Sequence, residues 1–232
     1  PSLPRCPLPF VPGGISVVAI LVVRGPASGS ARVEDVVPGA RPIRSRLPRE
    51  FTPFMLALAR FTIGNSTDAF LLLKLTDAAG SVTWIPLIWA ALHVVKATVS
   101  IAGGRWSDVV GRRTVIGLGW LVYAAVYAGF AMSATLPALL SWFLLYGCYF
   151  GLTEGAEKAL VADLAPVDIR GFAFGVYNAV VGFGALAASV LFGLVWTVWG
   201  VAPAFGMGAA FALAATAVLF VVVGPSPRNA ES

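Results

Sequence analysis

The sequence predicts an all-α protein that crosses a lipid bilayer six times. Of its 232 residues, 58% are hydrophobic and only 12% are charged, whereas a soluble domain has about 25% charged residues. Six apolar runs of about 20 residues, the length that spans a bilayer as a helix, are separated by short polar links. The chain is therefore predicted to be a bundle of membrane-spanning helices with the lipid bilayer as its partner.

Composition also narrows the function classes. The net charge of +5 does not indicate binding to nucleic acid, because the basic residues lie mainly in links between apolar runs and form no basic domain interleaved with aromatic residues. Cys6 and Cys148 are far apart and His93 is the single histidine, so we predict no disulfide framework, no metal site and no cofactor. The motifs G-x-x-x-x-G-K-[ST], G-x-S-x-G and H-E-x-x-H are absent, which argues against ATP hydrolysis and against an integral-membrane enzyme.

The first 52 residues precede the main apolar runs. Residues 10–23 form an apolar run of about 14 residues, which is short for a span, so residues 1–23 are interpreted as the end of a preceding helix, with an interfacial segment as the alternative. The chain begins with Pro1 and shows no signal peptide, and we interpret it as a fragment of a longer protein. Residues 24–52 are a basic linker that contains several Pro and Gly. Its arginines are Arg24, Arg32, Arg41, Arg44, Arg46 and Arg49.

The six spans of the domain at 53–223 are assigned from apolar length. They run near 53–75, 82–103, 114–133, 137–161, 172–197 and 202–223, and a tail at 224–232 ends the chain. The linker, the links after the second and fourth spans and the tail hold most of the Lys and Arg, whereas the turns on the opposite side hold none. The positive-inside rule then predicts a cytoplasmic linker and a cytoplasmic C-terminus.

The link between the second and third spans is the most informative stretch. It has the pattern G-x-x-S-D-x-x-G-R-R, formed by Gly104, Ser107, Asp108, Gly111, Arg112 and Arg113. The glycines allow a tight turn, Asp108 can cap the following helix, and the arginines can anchor that helix at the headgroups. An ordinary positively charged loop is the alternative. The whole pattern between two spans, however, resembles the loop signature of the major facilitator superfamily, which joins helices 2 and 3 and recurs between helices 8 and 9.

Three further stretches extend this resemblance over most of the chain. The residues at 64–70 (G-N-S-T-D-A-F) are similar to helix 7 of uncharacterised prokaryotic members, those at 146–160 to helix 10, and those at 170–175 (R-G-F-A-F-G) to the start of helix 11. The resemblance implies the C-terminal half of such a protein, helices 7–12, built as two three-helix repeats. Residues 24–52 would be its central loop, and a missing N-terminal six-helix half would be a partner in the same chain. Trp106 and Val109 depart from the usual signature. The implied location is the prokaryotic inner membrane.

Ionisable and polar groups inside the spans are candidates for a substrate path. Charged groups at the bilayer centre cost about 2.5–3.5 kcal/mol on insertion scales, so they need a reason. Periodicity and depth place Lys96 and Glu154 where they can pair across a cavity. The alternative is a neutralised structural pair, and His93 could equally be a packing residue. The predicted cavity residues are Asn65, Asp68, His93, Lys96, Tyr146, Glu154 and Asn178, with one carboxylate carrying a coupling proton.

The resemblance also implies a charge cluster at the cytoplasmic rim. It would join Asp108 and Arg112 to an acidic residue of a nearby helix, either Glu157 or Asp163, and would break when the protein changes conformation. The function implied is secondary active transport of a small solute by alternating access, coupled to protons. The alternatives are a non-transporting membrane scaffold derived from a truncated half and an integral-membrane enzyme.

Overall fold

The computed structural model describes residues 47–222. These fold into helices throughout, joined by short turns, with a 3₁₀ turn at Val167–Ile169. The predicted elements within residues 1–46 and the tail at 224–232 lie outside the described residues. The α-helices are α1 (Phe51–Gly64), α2 (Asp68–Ala79), α3 (Ile85–Val110), α4 (Arg112–Met132), α5 (Leu136–Leu164), α6 (Arg170–Trp199) and α7 (Val201–Val222).

Within residues 47–222, five helices, α3 to α7, are long and apolar enough to cross a membrane. They match the second to sixth predicted spans, which confirms the all-α membrane fold. The first predicted span, 53–75, is wrong as one continuous helix, because α1 ends at Gly64 and α2 begins at Asp68. The intervening Asn65, Ser66 and Thr67 carry short polar side chains that compete with the helical backbone for hydrogen bonds. The chain therefore has a discontinuous first span, here called the helix break.

The predicted loop at 103–113 is also largely helical. The last two turns of α3 include Gly104, Ser107 and Asp108, and the chain changes direction at Gly111 alone. Gly111 has a φ of 98°, a conformation that residues with a Cβ rarely adopt. Asp108 consequently lies at the end of α3 and does not cap α4 as predicted. Charged side chains are tolerated on a helix that continues past the apolar layer, so apolar length alone placed the boundary too early.

The core lies around α4, which packs against α5 and α7 and is the most buried of the long helices. α1 packs on α6 and α7, and α3 packs mainly on α5. Gly151 on α5 allows α3 and α5 to pack closely. A Cβ at this position would lie 2.7 Å from the Cβ of Val99 and 2.9 Å from the backbone nitrogen of Ser100. This close approach of two backbones sets α3 beside α5 and hence Lys96 beside Glu154.

Two cationic side chains each donate to a carbonyl near the C-terminal end of a neighbouring helix. The Lys74 ammonium donates to the carbonyl of Phe130 in the last turn of α4 and lies 5.5 Å from the centre of the Phe205 ring. The Arg113 guanidinium donates to the carbonyl of Phe220 near the end of α7 and lies over the ring of the same residue. Helix C-termini leave carbonyls without partners, and a cation there also complements the helix dipole.

Candidate functional site

The helix break is held by tyrosine hydroxyls from two neighbouring helices. The Tyr123 hydroxyl, on α4, donates to the carbonyl of Gly64 at 2.9 Å. The Asn65 amide donates to the Tyr149 hydroxyl, on α5, at 3.0 Å. These contacts satisfy a backbone group and a side chain that the end of α1 would otherwise leave unpaired in the apolar core.

The other side of the break is held in the same way. The Ser66 and Tyr127 hydroxyls lie 2.8 Å apart, and both residues are buried. The Tyr146 hydroxyl donates to the Asp68 carboxylate at 2.7 Å. Asp68 and Tyr146, predicted to line a cavity, therefore contact each other at the break and are absent from the lining of the cavity described next.

A polar cavity of about 340 Å³ lies between α1, α3, α5 and α6. Four of the predicted cavity residues line it: Asn65, Lys96, Glu154 and Asn178. Aromatic rings form much of the remaining wall, namely those of Phe61, Tyr149, Phe150 and Tyr177. The cavity thus combines ionisable groups and amides with an apolar surface, as small-molecule sites usually do.

Three charged residues of the lining form one cluster, the lysine–glutamate triad of Lys96, Glu154 and Lys158. Lys96 Nζ lies 2.7 Å from one carboxylate oxygen of Glu154, and Lys158 Nζ lies 3.0 Å from the other. The predicted Lys96–Glu154 contact is present. The Lys96 ammonium also lies 4.6 Å from the centre of the Phe150 ring, close enough for a cation–π interaction. Each of the three side chains is between about a third and a half exposed.

Glu157 differs from the triad although it lines the same cavity. Its side chain is buried, with 7% of the residue exposed, and its two oxygens accept hydrogen bonds from Trp120 Nε1 at 3.1 Å and from the Tyr177 hydroxyl at 3.0 Å. Within residues 47–222 its carboxyl group forms no ion pair. Both hydrogen-bond donors are neutral, so burial of the ionised carboxylate is not offset by a cation in contact.

The signature residues meet at the C-terminal end of α5. Arg112 Nε lies 2.7 Å from a carboxylate oxygen of Asp163 and an Arg112 terminal nitrogen lies 3.7 Å from Asp108. Of the two acidic residues considered for this cluster, the structure places Asp163 at Arg112, while Glu157 is occupied elsewhere. Arg113 points to α7, as described above, and lies outside this ion-pair cluster.

Two other predicted residues have local roles. The Ser107 hydroxyl donates to the carbonyl of Gly104 at 2.8 Å, within the last turns of α3. His93 is exposed, and its Nδ1 lies 2.9 Å from the carbonyl of Trp89 on the same helix. Its ring lies against the Trp89 ring, with centroids 5.3 Å apart. His93 is not among the residues that line the cavity.

Sequence reasoning missed the residues that hold the break and the buried carboxyl group. They are Tyr123, Tyr127 and Tyr149 at the break, and Trp120 and Tyr177 at Glu157. The available signal was spacing: Tyr123 and Tyr127 are four residues apart and Tyr146 and Tyr149 three apart, so each pair shares a helix face. In a membrane helix, hydroxyls on one face indicate polar groups to bind on a neighbour.

The sequence is similar to one protein family and to several known proteins. A family model described as Major Facilitator Superfamily matches residues 50–232. An uncharacterised MFS-type transporter of Methanocaldococcus jannaschii is 34% identical over 66% of this chain and 40% of its own length. An uncharacterised MFS-type transporter of Bacillus subtilis is 31% identical over 53% of this chain and 30% of its own length. The class E tetracycline resistance protein of Escherichia coli is 30% identical over 58% of this chain and 32% of its own length. The chain thus spans less than half the length of these relatives.

Proposed function

This chain belongs to the major facilitator superfamily, and from this premise we propose that it forms the C-terminal half of a secondary active transporter for a small solute. The family match confirms the resemblance drawn from the signature loop. It makes the chain a multi-pass membrane protein of a transporter family and not an enzyme.

The observation that carries the proposal is the polar cavity inside the membrane-spanning region. Its wall includes the triad of Lys96, Glu154 and Lys158, together with the amides of Asn65 and Asn178. Ionisable groups in a membrane are expensive and usually mark a path for ions or solutes. A purely structural ion pair would need no cavity beside it.

The solute path requires a second half. α3 buries little of its own surface in this bundle, whereas α4 is largely buried. We assign the unburied face of α3 beside the cavity to an N-terminal six-helix half of the same protein, and the rest to lipid. The two halves would rock about a site at their interface and expose it to each side of the membrane in turn. The basic linker and the C-terminus would lie in the cytoplasm and the protein in a prokaryotic inner membrane.

Glu157 is the carboxyl group best placed to carry a coupling proton. Asp68 contacts Tyr146 at the break and does not line the cavity, and Glu154 is neutralised by two lysines. Glu157 instead lines the cavity with only neutral donors in contact. A buried carboxyl group that can be neutral or charged, next to a solute site, has the properties that coupling requires.

The ion pair of Arg112 and Asp163 is proposed as the gate at the cytoplasmic end. It links the start of α4 to the end of α5, and breaking it would favour one conformation of the two halves over the other. Asp163→Asn in the complete gene product should change the rate of solute exchange more than Asp108→Asn, because Asp108 is farther from Arg112 and mostly exposed. Unchanged exchange in both variants would remove the gating role.

The test of transport uses the complete gene product in proteoliposomes that contain a pH-sensitive dye. Glucose, alanine, benzenesulfonate and tetraphenylphosphonium are offered in turn across an imposed pH gradient. We expect one solute class to accumulate and to move protons, with protein-free liposomes as the control. Glu157→Gln should lose accumulation but keep exchange of solute for solute. If no solute moves faster than in protein-free liposomes, the chain is better explained as a scaffold.

A further inference from the structure

We propose that the cavity binds a small organic monoanion between the ammonium groups of Lys96 and Lys158, and that Glu154 occupies the place of the anion when the site is empty. This inference rests on the proposed function, since it assigns a substrate class to the same cavity. It is carried by the geometry and charge of the triad.

Glu154 is coordinated as an external carboxylate would be. Each of its two oxygens contacts a different ammonium group, at 2.7 Å and 3.0 Å. The lysines come from two helices, Lys96 from α3 and Lys158 from α5. Two cations therefore converge on one anionic group that is 45% exposed at the cavity. A solute carboxylate or sulfonate presents the same pair of acceptor oxygens and can replace Glu154.

The charge of the lining favours an anion. Among the described residues, the ionisable groups that line the cavity are Lys96 from α3, Tyr149, Glu154, Glu157 and Lys158 from α5, and Tyr177 from α6, and α1 contributes none. With Glu157 protonated and both tyrosines neutral, two positive charges and one negative charge leave a net charge of +1. Electrostatic energy rises as the dielectric constant falls, so an uncompensated charge in the membrane interior attracts a counter-ion strongly.

The wall of the cavity indicates an apolar body for this anion. The rings of Phe61, Phe150 and Tyr177 line the same cavity as the triad, and a volume of about 340 Å³ accommodates a small aromatic solute. Asn178 adds an amide at the exposed side of the cavity. Aromatic walls with a few polar groups fix both the orientation and the charge of a ligand.

A proton and an anion should bind with positive cooperativity. A proton on Glu157 changes the net charge of the lining from zero to +1, so it strengthens anion binding. By thermodynamic reciprocity, a bound anion strengthens proton binding to the same degree. Anion affinity should therefore be higher at acidic than at alkaline pH, and Glu157→Gln should have high affinity at both.

The experiment measures binding of benzenesulfonate to the purified complete gene product by titration calorimetry in detergent. Benzenesulfonate stays ionised across the pH range, so any pH dependence belongs to the protein. Neutral benzenesulfonamide and cationic phenyltrimethylammonium are the matched probes. We expect the anion to bind and the other two not to bind. Lys96→Gln and Lys158→Gln should each weaken anion binding about tenfold or more, as loss of a charged hydrogen bond does.

The direction in which Glu154→Gln changes benzenesulfonate affinity decides between an anionic and a cationic solute. Because this substitution removes the internal competitor, it should tighten benzenesulfonate binding by about tenfold. If Glu154 were instead the acceptor for a cationic solute, phenyltrimethylammonium would bind and this variant would abolish its binding. If the lysine variants do not fold, Lys96→Arg and Lys158→Arg keep the charge, and the sign of the Glu154→Gln effect still decides.

The proposal would be overturned by absence of benzenesulfonate binding, by weaker binding in Glu154→Gln, or by binding of the cation in place of the anion. Lipid headgroups also carry anions, so binding is repeated in nanodiscs of phosphatidylcholine with and without phosphatidylglycerol. Loss of benzenesulfonate binding only with phosphatidylglycerol would assign the site to lipid and overturn a solute role. Transport of another solute without anion binding refutes this inference alone. Anion binding without any transport refutes the proposed function and still supports the anion-binding site.

Discussion

The helix break and the lysine–glutamate triad are two polar regions inside the same apolar bundle, and they are satisfied in opposite ways. At the break, neutral tyrosine hydroxyls bind Gly64, Ser66 and Asp68. At the triad, two cations share one half-exposed carboxylate. Where each polar group has its own buried partner, the contacts are fixed. Where two cations share one carboxylate beside a cavity, an anionic ligand can take the place of that carboxylate.

Packing reinforces this difference. The rings of Tyr123 and Tyr127 are stacked at 4.1 Å, and Phe61 stacks on Trp120 at 4.6 Å. These aromatic contacts hold the hydroxyls in place and make the bonds at the break rigid. The triad lies at the edge of this aromatic core, where Lys96 lies over the Phe150 ring and all three side chains are partly exposed. We therefore expect substitutions at the break to change stability and substitutions at the triad to change binding.

The largest effect on stability is expected from separating α3 from α5. This change would disrupt the triad and leave the helix break intact. Gly151→Val puts side-chain atoms where the backbone of Ser100 lies, 2.9 Å from the new Cβ. Overpacking of this kind costs about 1–3 kcal/mol or more. We expect a large drop in the thermal unfolding midpoint in detergent and a loss of monodisperse protein.

Gly155→Val is the matched control, because it makes the same change one turn along the same helix, where a Cβ meets nothing within 4 Å. Equal unfolding midpoints for the two variants would show that α3 and α5 are not in close contact, and the placement of Lys96 beside Glu154 would lose its support.

An intermediate effect is expected at the break. Tyr146→Phe removes the donor to Asp68 and leaves the carboxylate without that hydrogen bond, at a cost of about 1–3 kcal/mol. Thermal unfolding measures the loss. A double-mutant cycle with Asp68→Ala isolates the pair, because Tyr146→Phe should then have a smaller effect. Fully additive effects would contradict a direct contact between the two side chains.

The smallest effect on stability is expected at the triad. Lys158→Gln removes one ion pair whose two side chains are about half exposed, and such pairs contribute about 0–1 kcal/mol. The unfolding midpoint should stay close to that of the unaltered protein, in contrast to Tyr146→Phe. A destabilisation as large as that of Tyr146→Phe would erase the distinction between the fixed break and the exchangeable triad.

The membrane fold and one ion pair could be predicted from the sequence. Hydropathy reports the transfer free energy of each segment, which does not depend on its neighbours, so five of the six predicted spans match helices in residues 47–222 that are long and apolar enough to cross a membrane. The Lys96–Glu154 contact followed from the fixed rise per residue and from short links, which set the depth of each side chain. The family followed from the residues of the signature, although their assignment to a loop was wrong.

The helix break could not be predicted in the same way. Residues 53–75 are apolar enough for a continuous span, and Asn65, Ser66 and Thr67 interrupt the helix where hydroxyls of α4 and α5 lie within reach. The partner of Arg112 was undecided for a related reason. Glu157 and Asp163 are six residues apart, so they project from α5 in directions about 120° apart. The rotation of α5 about its axis decides which of them faces Arg112.

The sequence by itself determined what depends on single segments: the membrane environment, the all-α fold and the family. The tertiary structure decided what depends on the relative rotation and spacing of helices. It placed four tyrosines on the break, buried Glu157 between Trp120 and Tyr177, and brought two lysines to one carboxylate. The physical reason is that burial in a bilayer is a property of a segment, whereas satisfaction of a buried polar group requires a partner from another helix.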